Sequence, residues 1–113
     1  MANTDIASLH PVFVRQMKAL TDVDIDELME NYTPDAALIR FDGVSNGTAE
    51  LREAFTSYLT LKPTLIDLTA YVQTDDTIFY RAIMNLGGEP EHAFGTLVIK
   101  DGKIWRQTAG FGS

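Results

Sequence analysis

Residues 35–55, Asp-Ala-Ala-Leu-Ile-Arg-Phe-Asp-Gly-Val-Ser-Asn-Gly-Thr-Ala-Glu-Leu-Arg-Glu-Ala-Phe, constrain this fold more than any other stretch. Ala36 to Phe41 reads as a short strand. Asp42-Gly43 and Asn46-Gly47 then mark turns, because both dipeptides tolerate the left-handed backbone that tight turns need. Thr48 follows as the expected N-cap of a helix whose inner face carries Leu51 and Phe55. The periodicity before this stretch is helical, and the periodicity after it is that of strands.

Upstream, Ile6, Leu9, Val12, Phe13, Met17 and Leu20 approach the i, i+3, i+4, i+7 spacing of one helical face. Thr4 or Asp5 is a candidate N-cap, and Pro11 requires the helix to begin or bend at that point. A second helix is expected over 24–32, with Ile25, Leu28 and Met29 inward, closed by Asn31-Tyr-Thr-Pro34. Downstream, Lys62-Pro63 ends the third helix. Strands are then expected over 64–74, 77–86, 93–100 and 103–111. Their punctuation is Asp75-Asp76, Gly87-Gly88 and Asp101-Gly102, the last being the strongest hairpin signal in the chain. The order α-α-β-α-β-β-β-β describes an α+β chain, with one domain over 1–113 and one core.

Charge narrows the partners. Sixteen acids against nine bases give a net charge of −7, which disfavours phosphate backbones and anionic lipid surfaces, so neither nucleic acid nor a membrane is an expected partner. The absence of cysteine excludes disulfides, thiolate chemistry and cysteine-ligated zinc. His10 and His92 are the only histidines and lie in unrelated places, so no metal site or cofactor is expected. The acids at 22, 24, 26, 27 and 30 lack the glycine and terminal glutamate of an EF-hand loop. No secretory signal and no run of apolar residues long enough to span a bilayer is visible, which makes the cytoplasm the expected compartment.

Tyr-Thr-Pro-Asp-Ala-Ala at 32–37, Asn-Gly-Thr-Ala-Glu-Leu-Arg-Glu-Ala-Phe at 46–55 and Asp-Gly-Lys-Ile at 101–104, in this order of elements, resemble the nuclear transport factor 2-like superfamily. That group includes ketosteroid isomerases and SnoaL-like polyketide cyclases. The resemblance covers nearly the whole chain. It implies a curved, mostly antiparallel sheet wrapped around three N-terminal helices like a cone, a pocket at the wide end, and a homodimer through the convex face of the sheet. Fold alone does not imply function. Ketosteroid isomerases use an aspartate base with a tyrosine and a protonated aspartic acid as oxyanion hole. The resemblance places those positions on Arg40, Gln16 and near Gly95, none of which matches. The Asp-Arg-Asp set of the limonene epoxide hydrolases falls near Ala82, Met84 and Ala109, and is missing as well.

Residues two apart in a strand share a face. In the register that the resemblance implies, Leu38, Arg40 and Asp42 point inward, followed by Ile78, Tyr80, Ala82 and Met84. Ala93, Gly95 and Leu97 do the same on the next strand, and Trp105, Gln107, Ala109 and Phe111 on the last. The candidate ligand-binding residues are therefore Gln16, Arg40, Phe55, Tyr80, Met84, Trp105, Gln107 and Phe111. If the site is catalytic, Asp42 is the candidate base, with Arg40 and Tyr80 orienting an oxygen. Arg40 either anchors an anionic ligand or pairs with Asp42 at the rim. The four tyrosines either line the cavity or cap the core. Two functions follow: a domain binding a hydrophobic small molecule, or a SnoaL-like isomerase, cyclase or hydrolase acting on a polyketide- or terpenoid-like substrate.

Overall fold

The computed structural model describes residues 8–112. Thr4, Asp5 and Ile6, expected to open the first helix, lie outside the described residues. Helix α1 spans Pro11–Thr21 and starts at its proline, where a missing N–H costs nothing. Its N-cap is His10, whose Nδ1 accepts from the Val12 N–H at 3.1 Å. Helix α2 spans Ile25–Glu30 and is capped by Asp24, whose carboxylate accepts from the Glu27 N–H at 3.0 Å. It is shorter than expected, because Asn31 leaves the helical ladder and Tyr32 opens a strand.

Strand β1 spans Tyr32–Arg40 and turns at Phe41-Asp42 into β2, Gly43–Asn46. This second strand was not expected. Helix α3 follows at once over Gly47–Leu59. Its N-cap is Asn46 rather than Thr48. The Asn46 N–H donates to the Glu50 carboxylate at 2.8 Å, while the Thr48 hydroxyl donates to the Pro34 carbonyl at 3.4 Å and ties the helix start to β1. Then come β3 (Thr64–Gln73), β4 (Thr77–Leu86), β5 (Glu89–Lys100) and β6 (Lys103–Phe111). Strand β5 starts four residues earlier than expected. Gly87 and Gly88, with φ of 62° and 91°, turn the chain in two residues, so Leu86 pairs directly with Glu89.

The six strands form one open sheet in the order β2-β1-β6-β5-β4-β3. Every pairing is antiparallel except β1 with β6, which is parallel. Irregularities interrupt β1–β6, β3–β4 twice, and β5–β6. Such insertions bend a strand and increase its local twist. One of them re-aims a functional candidate: Ile99 pairs with Ile104 and Val98 with Arg106, so Trp105 is the extra residue. The core gathers Phe13 and Leu20 from α1, Leu28 from α2, Leu51 and Phe55 from α3, and Ile78, Leu97 and Ile104 from the sheet. Among the described residues no helix is long and apolar enough to cross a membrane.

Candidate functional site

A cavity of about 130 Å³ opens between α1, α3 and the sheet. Phe13, Leu20, Phe55, Met84 and Leu97 supply its apolar wall. Alternation in β4 points Tyr80, Ala82 and Met84 to this side, as period-2 spacing requires. Gly95 makes room for one of them. A Cβ at that position would come within 3.1 Å of the Tyr80 hydroxyl and 2.3 Å of the Thr108 carbonyl oxygen, so any larger residue would displace the strand or the ring. Phe13 braces the same ring, with centroids 5.6 Å apart.

The inner end of the cavity carries a buried polar chain. Arg15 Nε donates to Asn31 Oδ1 at 2.9 Å, and its Nη2 donates to the Gly102 carbonyl at 2.8 Å. Asn31 Nδ2 donates to the Val12 carbonyl at 3.0 Å and to Gln16 Oε1 at 3.1 Å. Gln16 Nε2 donates to the Tyr32 hydroxyl at 2.7 Å, and that hydroxyl donates to Gln107 Oε1. Gln16, Asn31, Tyr32 and Gln107 are each at least 94% buried. Buried polar groups without partners are costly, and this chain satisfies them in series.

Burial raises the pKa of three tyrosines. Desolvation lifts Tyr32 well above the ordinary phenol value despite the opposing hydrogen bond from Gln16. It raises Tyr58, with Tyr80 adding to the effect, and pushes Tyr80 up to about 12. All three hydroxyls therefore keep their protons at neutral pH. Tyr58 and Tyr80 line the cavity.

The candidates divide on this geometry. Gln16, Phe55, Tyr80, Met84, Gln107 and Phe111 lie on the cavity lining, Phe111 at a half-exposed position. Arg40 also lines it, at the mouth, where it donates to the Ser45 hydroxyl at 3.2 Å and stands 3.6 Å from the Asp42 carboxylate. Beyond the mouth, Ser45, Glu50, Glu53 and Ser57 form a shallow polar groove that shares Arg40 and Ala54 with the cavity. Two expectations need correction. Asp42 does not line the cavity: β1 ends at Arg40, and the Asp42 side chain is 83% exposed in the turn. Trp105 does not line it either. The insertion in β6 turns it away, and its ring carries the Arg106 guanidinium 3.9 Å and the Lys100 ammonium 5.2 Å from its centroid. Asn31 was read only as part of a helix stop, and Tyr32 as one of four tyrosines that either line the cavity or cap the core. Their sole local signal is a polar and an aromatic residue just before a proline.

Among the described residues lining the cavity there is no aspartate, glutamate, histidine or lysine. Nor do the described residues contain a group of three or more His, Asp or Glu side chains placed to hold a metal ion. Chemically, the cavity can surround an apolar body and offer hydrogen-bond donors to it.

No family model matches the sequence, and no curated protein matches it. Solved structures do match. A candidate polyketide cyclase from Sinorhizobium meliloti is 21% identical, with 94% of this chain and 99% of that one covered and a TM-score of 0.78. An NTF2-like protein of unknown function from Cytophaga hutchinsonii is 12% identical over 99% and 95%, with a TM-score of 0.75. TerC, co-crystallised with polyporic acid, is 15% identical over 89% and 88%, also at 0.75. At these identities the likeness establishes architecture. The chain has the nuclear transport factor 2-like fold, shared with SnoaL-like and ketosteroid isomerase-like proteins.

Proposed function

We propose that this chain is a small-molecule-binding domain whose cavity holds a largely apolar ligand bearing an oxygen, and that it does not turn the ligand over. The carrying observation is the character of the lining: an apolar wall with amide, phenol and guanidinium groups, and no side chain able to take up a proton near neutral pH among the described lining residues. Proton transfer needs a base within hydrogen-bond reach of the reacting atom, and Asp42, the candidate for that role, sits in solvent. The volume supports a ligand about one ring in size, since an engineered apolar cavity of ~150 Å³ accepts benzene. The co-crystal of TerC with polyporic acid supports the same reading, as a case of this fold in complex with an organic acid.

The test is ligand-observed NMR and thermal shift with ring-sized ketones, phenols and carboxylates, on the parent and on Ala82→Phe. Ala82 is buried in the cavity wall, and a phenyl group there fills the space. Saturable binding to the parent that Ala82→Phe abolishes is the expected result. Absence of saturable binding across the panel, or conversion of any member to product, would overturn the reading.

The same reading includes a homodimer through the outer face of the sheet. It is supported by the exposed neighbours Val72 and Phe79, which pair across β3 and β4. Sedimentation of the parent beside Phe79→Lys tests it: a monomeric parent would rule the dimer out.

A further inference from the structure

The direction of every hydrogen bond in the buried polar chain can be assigned from two groups of fixed polarity that meet Asn31. The guanidinium of Arg15 can only donate, so the atom of Asn31 facing it is the oxygen. The carbonyl of Val12 can only accept, so the atom facing it is the Asn31 nitrogen. These two fixed groups orient the Asn31 amide independently and to the same result. Its nitrogen then meets Gln16, which must present Oε1 and turn Nε2 towards Tyr32. The Tyr32 oxygen accepts that bond, leaving its single proton for Gln107. If Gln107 faced Tyr32 with its nitrogen, that proton would be buried without an acceptor. Oε1 of Gln107 is therefore turned inward, and its NH₂ group is left over.

That leftover group carries the inference. Gln107 is 94% buried, it lines the cavity, and its Nε2 makes no hydrogen bond to any described residue. We infer that the cavity selects ligands presenting a bare acceptor oxygen to the Gln107 NH₂ (a ketone, carboxylate, enolate or phenolate) and that the selection is set by the fixed polarity of Arg15 and of the Val12 carbonyl, passed on through Asn31, Gln16 and Tyr32. This rests on the binding reading above. Gln107 is fixed as a donor at the inner end, and Arg40 can only donate at the mouth, so both ask for the same chemistry. The hydroxyls of Tyr58 and Tyr80 can rotate and serve either polarity.

Two measurements test this. Neutron diffraction from the deuterated, ligand-free protein is expected to place both Gln107 amide deuterons on the cavity side and the Tyr32 deuteron between its oxygen and Gln107. Amide deuterons facing Tyr32 would overturn the inference whatever binds. The second measurement uses acetophenone and α-methylstyrene, which share a shape and differ in C=O against C=CH₂. The parent is expected to bind the ketone about 10-fold tighter, the worth of one hydrogen bond. Tyr32→Phe cuts the chain next to Gln107 and is expected to shrink that ratio towards one.

Asn31→Asp is expected to reverse the polarity. A carboxylate accepts from Arg15 but cannot donate to Gln16, so both glutamines flip and the ratio falls to one or below. Should Asn31→Asp fail to fold, Tyr32→Phe carries the test. Equal binding of both probes by the parent would overturn the inference while leaving the binding reading intact. Binding of neither probe, with the deuterons where expected, would overturn the selectivity while leaving the amide orientation established, and the binding reading then stands or falls on the wider panel.

Discussion

The two ends of the cavity are built on opposite principles. At the mouth the groups carry full charge, stand in water and touch loosely: Arg40 is 3.6 Å from an Asp42 side chain that is 83% exposed. At the inner end Gln16, Asn31, Tyr32 and Gln107 are neutral, buried and joined at hydrogen-bond distance, with charge entering only through Arg15 at the surface. Water screens the first arrangement and is largely excluded from the second. An exposed ion pair contributes about 0–1 kcal/mol, whereas leaving one buried polar atom unpaired costs about 1–3 kcal/mol. The residues most conspicuous in the sequence, Arg40 and Asp42, are thus energetically the lesser pair. The neutral chain holds geometry that the charges do not.

That contrast can be broken in graded steps. Phe13→Ala attacks the inner end most heavily. The ring is fully buried, packs on Tyr71 and Tyr80, and borders a cavity that its loss would enlarge. A cost of about 3–5 kcal/mol in urea denaturation is expected, against under ~1 kcal/mol for Phe111→Ala at the half-exposed mouth. Comparable costs would erase the distinction. Tyr32→Phe keeps the ring and removes the hydroxyl that joins Gln16 to Gln107. It is expected to cost about 1–3 kcal/mol for each amide left unsatisfied, read from the shift in the denaturation midpoint.

The third step appears only in alkaline solution. Burial raises the Tyr80 pKa from 10.0 to about 12, so the fold favours the protonated phenol. The unfolded chain releases this proton first, and stability must fall as pH rises. The contribution of Tyr80 is fully present below pH 10 and is lost as pH climbs through about 12. Thermal unfolding across that window is expected to show a shallower decline in Tyr80→Phe than in the parent. The smallest effect is expected from Asp42→Asn at the mouth, below about 1 kcal/mol and fading with added salt. A larger, salt-insensitive cost would show that the rim pair is shielded after all.

What the sequence disclosed follows the range of the forces involved. The limits of β4 and β6 were legible because Asp75-Asp76, Gly87-Gly88 and Asp101-Gly102 punctuate runs with strand periodicity, and turn chemistry is local. Strand β2 was missed because its first and last residues, Gly43 and Asn46, belong to the two turn dipeptides and leave only Val44 and Ser45 between them. Trp105 was assigned inward by strict alternation, which one inserted residue in β6 defeats. The cavity wall was mostly legible, since Tyr80, Met84, Gln107 and Phe111 keep the expected side. The polar chain behind it was not. Tyr32 and Gln107 are 75 positions apart, and no local pattern encodes a bond between them.

The parallel seam between β1 and β6 also bears on the order in which the molecule can be made. Strands β3 to β6 follow one another and can zip as neighbouring hairpins, but β1 and β2 have no other route into the sheet than β6, the last strand. On a ribosome β1 must therefore wait for about seventy further residues before its docking edge exists. At the ~5–20 residues per second typical of synthesis, that delay lasts several seconds or more. Through that interval the edge of β1 at Ala37, Leu38 and Ile39 lacks its partner strand. This is the segment where a chaperone would be expected to take hold.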